Sequence, residues 1–211
     1  MAVFSLHDAL QQKLLPAVTF SAAEDALPLA EAFLAAGLFV LEIPFRTAVA
    51  AEAVTIIRKA FPEMIVGAGT LLTTAQLQQS INAGAQFGLS PGFNPTISAA
   101  ANKLEFPFIP GVMTPSEIEL AFEAGFEVQK LFPAEQLGGI SFLKALLGPY
   151  DQLGVQFIPM GGVNVANANL YASQKNVIAL GGSWLATPEL LAAKQFKQIQ
   201  ENVRIALDLV K

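Results

Sequence analysis

The 211-residue chain contains no cysteine, which excludes disulfides, thiolate metal sites and cysteine nucleophiles. It holds one histidine, His7, near the N-terminus. Zinc is usually held by several His or Cys side chains, so no metal is expected. A Ser-His-Asp triad would have to recruit His7, which falls in a leading helix and reads as surface. Charge is scarce as well. Charged residues make up 14% and hydrophobic ones 53%, against a usual charged share of about 25%. A large core follows, together with uncharged surface suited to other subunits. The net charge is −5 and the pI near 4.9. The Lys/Arg surplus that phosphate backbones demand is missing, so no nucleic acid partner is expected. A small anionic substrate is a different matter, since it needs only a few placed cations and backbone N–H groups. Residues 64–102 carry no charge, but Gly, Pro, Gln and Asn interrupt them, so no membrane span is expected. The start, MAVFSLHDALQQKLL, lacks a basic region before an apolar run, which points to a cytoplasmic protein.

What is present is alternation. Short apolar runs at Leu15–Phe20, Leu38–Ile43, Met64–Ala68, Ala85–Leu89, Phe106–Ile109, Phe126–Leu131, Val155–Ile158 and Val177–Leu180 read as strands. Helical stretches follow each of them. The first has Ser21 and Glu24 at capping-box spacing and stops at Gly37; another pairs Thr114 with Glu117 and stops at Gly125. Asn164–Ser173 and a closing helix over Glu189–Val210 complete the series. Eight strand–helix units in one domain predict a (β/α)8 TIM barrel with a short N-terminal helix, and a doubly wound sheet is the second choice.

In such a barrel the active site lies at the C-terminal ends of the strands. Those ends carry Glu42 and Arg46 (LEIPFRT), Thr70 (GAGT), Pro91 (SPG), Lys130 (VQKLFPAE), Gly161-Gly162 and Gly181-Gly182-Ser183. Side chains alternate along a strand. Leu38, Val40 and Glu42 share one face of strand two, and Phe126, Val128 and Lys130 share one face of strand six. If both faces point inward, Glu42 and Lys130 meet across the barrel mouth. Burial favours the neutral amine that attacks carbonyls, and a nearby carboxyl can shuttle protons. A buried structural ion pair is the competing reading. Arg46 is one of three arginines and can grip a carboxylate with its planar fork. The glycine pairs after strands seven and eight stand where barrels often bind phosphate. Lys13, Lys59, Lys103, Lys144, Lys175, Lys194, Lys197 and Lys211 fall on helix faces or ends and read as solvated.

LEIPFRT, IVGAGT, SPG, PGVMTPSE, KLFPAE, MGGV and GGSW follow one another through nearly the whole chain. With these motifs the sequence resembles the bacterial 2-keto-3-deoxy-6-phosphogluconate (KDPG) and 4-hydroxy-2-oxoglutarate (KHG) aldolase family. The resemblance implies a class I aldolase that releases pyruvate. Lys130 would form the Schiff base and Glu42 would be the general acid/base. Arg46 and Thr70 would hold the pyruvyl carboxylate, and Pro91 and Phe132 would line the pyruvate pocket. Gly161, Gly162, Gly182 and Ser183 would take the phosphate. It also implies a homotrimer that needs no cofactor. One departure stands out: relatives commonly have a substrate-binding threonine before the Gly-Gly pair, where this chain has Met160. An aldolase for an epimeric keto acid, a phosphosugar isomerase or epimerase on the same barrel, and a catalytically silent ligand sensor are the alternatives.

Overall fold

The computed structural model describes residues 5–211. Helix α1 (Leu6–Ala9) precedes β1 (Leu14–Pro16), and a 3-10 turn at Ala23–Asp25 leads into α2 (Ala26–Ala36). Alternation then sets in with β2 (Val40–Pro44), α3 (Ala50–Ala60), β3 (Ile65–Gly69), α4 (Thr74–Ala83), β4 (Phe87–Leu89) and α5 (Pro95–Lys103). Next come β5 (Phe108–Ile109), β6 (Gly111–Val112), α6 (Pro115–Glu123), β7 (Val128–Leu131) and α7 (Gly139–Tyr150). The chain continues through β8 (Gln156–Pro159), α8 (Ala168–Ala172), β9 (Leu180–Gly182), α9 (Pro188–Ala192) and α10 (Phe196–Leu209). The class is α/β.

All strand pairs are parallel, in the orders β2-β3-β4-β5, β6-β7-β8 and β1-β9. Single bridges, Ala17 to Glu42 and Phe157 to Val177, link β1 toward β2 and β8 toward β9. The fifth strand is divided at Pro110, which has no N–H to give to a ladder. Its carbonyl still accepts the Lys130 N–H at 2.9 Å. Parallel strands covered on both faces read as near-continuous apolar runs, and every residue of β2 is buried. Glu42 in β2 and Lys130 in β7 are the charged exceptions.

Local signals act as the residues dictate at several helix ends. Gly37 and Gly84 close α2 and α4 in the left-handed region, where glycine carries no Cβ penalty. The Thr114–Glu117 capping box opens α6, although its C-cap is Ala124, one residue before Gly125. Other expectations need correction. The Ser21–Glu24 box does not form. The entry to α2 has no side-chain cap, and Glu24 and Asp25 instead pair with Lys194 from the far end of the chain. The closing helix is broken at Ala193–Gln195, where Lys194 turns left-handed at φ 52°. The Asn164–Ser173 helix shortens to α8, because Asn164 and Asn167 turn their side-chain amides to the Gly162 carbonyl.

Candidate active site

The strand ends surround a cavity of about 410 Å³, within the usual size of ligand pockets. Glu42, Arg46, Lys130, Phe132, Gly161, Gly162, Gly182 and Ser183, all singled out in the sequence, line it. Met160, noted in the sequence as standing in place of a substrate-binding threonine, lines it as well, and so do Ala17, Thr19, Pro44, Val163, Asn164 and Trp184, to which sequence reasoning gave no place in the site. Thr19 is the last polar residue of the Leu15–Phe20 run, so the strand-end rule applied there would have found it. Trp184 is the chain's one tryptophan and directly follows the Gly-Gly-Ser turn. A larger hollow of about 630 Å³ lies between the turn before β1 and the end of α10. It holds no buried polar group, so the chemistry belongs to the smaller cavity.

Of the chain's nine lysines, Lys130 alone is buried. Its Nζ lies 3.7 Å from Glu42 Oε1, with side-chain exposures of 5% and 1%. The facing deduced from strand alternation is thus realised. Lys130 Nζ also stands 5.2 Å from the centre of the Phe132 ring, within reach of the cation–π attraction. Glu42 Oε2 is buried and has no hydrogen-bond partner among the described residues. An orphaned buried carboxylate oxygen is costly, and here it is an open acceptor next to the amine. The carboxylate fits because position 69 is glycine: a Cβ there would lie 1.7 Å from Glu42 Oε1.

Arg46 follows β2 and donates through Nε to Thr70 Oγ1 at 3.1 Å. Thr70 sits at φ 55°, an uncommon conformation for a β-branched residue and one typical of functional sites. Neither Thr70 nor Pro91 is a lining residue of the cavity. Thr70 joins it through Arg46. Pro91 packs its backbone over Gly111, whose register partner is Lys130, and a Cβ on Gly111 would lie 2.2 Å from the Pro91 carbonyl carbon. Across the cavity, Gly161 and Gly162 adopt φ of 87° and 86°. Among the described residues no backbone carbonyl accepts the N–H groups of Gly161, Gly162 or Ser183. Successive free N–H groups of this kind form an anion-binding concavity. His7 is exposed on α1. No group of three or more potential metal ligands occurs among the described residues. No helix there is long and apolar enough to cross a membrane.

The KDPG and KHG aldolase family matches residues 7–202. The chain belongs to this family. A 2-dehydro-3-deoxy-phosphogluconate aldolase of Treponema pallidum is 42% identical over 209 residues, covering 99% of each chain. The KHG/KDPG aldolase of Escherichia coli K12 is 41% identical, covering 93% of this chain and 91% of its own. A crystal structure of KDPG aldolase from Legionella pneumophila holds pyruvate captured as a covalent carbinolamine intermediate. It superposes with a TM-score of 0.91 at 37% identity, covering 95% of this chain and 97% of that one.

Proposed function

We propose that this protein is a class I aldolase that cleaves 2-keto-3-deoxy-6-phosphogluconate to pyruvate and glyceraldehyde 3-phosphate. One observation carries the reading: the chain's single buried lysine lies 3.7 Å from a buried carboxylate in a cavity that also holds an arginine and an anion-binding turn. The three parallel sheets are read as one (β/α)8 barrel, with the bridges at Ala17 and Val177 as its seams.

Lys130, as the free amine, adds to the C2 ketone. Loss of water from the carbinolamine leaves an iminium, which serves as the electron sink. Glu42 takes the C4 hydroxyl proton through its open oxygen, directly or through a water. The C3–C4 bond breaks, its electrons pass to the iminium nitrogen, and glyceraldehyde 3-phosphate leaves. Protonation of the enamine at C3 and return of the water release pyruvate and regenerate the lysine. Arg46, steadied by Thr70, holds the C1 carboxylate, and Phe132 walls the three-carbon end. The Gly161-Gly162 and Gly182-Ser183 turns hold the phosphate at the other end.

Met160 tempers this selectivity. It is buried, and its thioether occupies the space above Gly181, where a Cβ would lie 2.0 Å from the Met160 Cε. It offers no hydroxyl to the substrate's distal half. Cleavage of 4-hydroxy-2-oxoglutarate to pyruvate and glyoxylate is therefore expected alongside the main reaction. Pyruvate release measured over a panel of the two substrates and the galactonate epimer tests this. The highest kcat/KM is expected for 2-keto-3-deoxy-6-phosphogluconate, and preference for the epimer or no release from any of them would refute the reading. The assembly is read as a homotrimer. Exposed Leu72, Met113 and Leu120 are available for an interface, and sedimentation at three times the 22.3 kDa chain mass is expected.

A further inference from the structure

Tyr171 lies outside the cavity, yet its surroundings converge on the turn that lines it. The ring is fully buried on α8, and its hydroxyl donates to Glu135 Oε1 at 2.5 Å. Glu135 follows the cavity residue Phe132 by three positions in the turn after β7. Its own N–H donates to the Gly161 carbonyl at 3.0 Å. Its Cβ and Cγ lie directly under Gly162, where an added Cβ would approach them to 2.5 and 2.6 Å. The opposite side of the turn is held by Asn164 and Asn167, whose amides donate to the Gly162 carbonyl at 3.0 and 3.2 Å.

We infer that Tyr171 is a positioning residue for the phosphate end of the substrate: by anchoring Glu135, it sets the Gly161-Gly162 turn at the place where its free N–H groups meet the phosphate. This inference rests on the aldolase reading and on phosphate binding at that turn. Three side chains hold the turn, Glu135 against Gly162 and Asn164 with Asn167 on the Gly162 carbonyl, and the turn they hold has two consecutive left-handed glycines that would otherwise move freely. Burial first, and then the bond to Glu135, push the Tyr171 hydroxyl well above its ordinary range, so it stays a donor at every working pH. The clamp lies far from Lys130 and Glu42 in role. It acts on binding of the distal group and leaves the bond-breaking step alone.

The test is Tyr171→Phe, which keeps the buried ring and removes only the donor. Steady-state kinetics would be run on 2-keto-3-deoxy-6-phosphogluconate and on 2-keto-3-deoxygluconate, the same substrate without its phosphate. A lost hydrogen bond to a charged group predicts a rise of about tenfold in KM for the phosphorylated substrate, with kcat unchanged and both constants unchanged for the other. Glu135→Gln, which keeps an oxygen for the tyrosine but removes its charge, should raise the KM for the phosphorylated substrate by less than Tyr171→Phe does and leave both constants for the other substrate unchanged. Equal changes for both substrates would reduce Tyr171 to a packing residue, and no change for either would remove the clamp. If the wild-type enzyme handled the two substrates alike, the phosphate assignment itself would fail and the inference with it. A wild-type enzyme that released no pyruvate would instead overturn the aldolase reading.

Discussion

Lys130→Ala is expected to lower kcat by about four orders of magnitude or more, comparable to losing a covalent nucleophile in other enzymes. No neighbour can substitute, because every other lysine is exposed. The same change should also destabilise the protein by about 3–5 kcal/mol, since it leaves the Glu42 carboxylate buried without its partner. Folding and chemistry would then be confounded, and a second variant separates them. Lys130→Met combined with Glu42→Met removes both charges, leaves no buried polar atom behind and nearly conserves volume. Replacing a buried ion pair in this way is often neutral for stability. The double variant is expected to melt near wild type in thermal denaturation and to remain inactive. A double variant that turned over substrate would show that neither group is needed.

Gly69→Ala is expected to have the second largest effect, although residue 69 touches no substrate. The new methyl would fall 1.7 Å from Glu42 Oε1, 2.5 Å from Cδ and 2.7 Å from Cγ. Three successive atoms are in the way, so the whole carboxylate must swing, and it carries the oxygen that faces Lys130. A displacement of about 1 Å in a reacting group costs on the order of 10²-fold in rate. Overpacking of a filled site adds about 1–3 kcal/mol of destabilisation. Assayed well below its melting temperature, Gly69→Ala should show kcat reduced about a hundredfold. Wild-type kcat would show that Glu42 is not positioned for proton transfer in the way described.

Both predictions join residues that are far apart in the chain, and the sequence made part of this visible. Period-two alternation put Glu42 on one face with Leu38 and Val40 and Lys130 on one face with Phe126 and Val128, so the two would meet if both faces pointed inward, and they lie 3.7 Å apart. Gly37, Gly84 and the Thr114 box were legible for local reasons: each acts within one helical turn. Long-range contacts were not. The left-handed Lys194 that breaks the closing helix is tied to Glu24 and Asp25, about 170 residues away in sequence. The same contact takes Asp25 and Glu24 away from capping α2. Asn164 and Trp184 were missed because they enter from loops whose path depends on Gly162 and Gly182 rather than on strand periodicity. In the sequence strand five reads as ending at Ile109; its continuation at Gly111–Val112 was missed and lies beyond Pro110, a residue that cannot donate to a ladder.

The most direct test of the account is reduction with borohydride in the presence of pyruvate, followed by peptide mass spectrometry. A Schiff base on Lys130 predicts a reduced pyruvyl adduct on the peptide carrying residue 130 and on no other lysine, with activity lost in proportion to labelling. Folded, unlabelled protein, or an adduct on one of the exposed lysines instead, would contradict it.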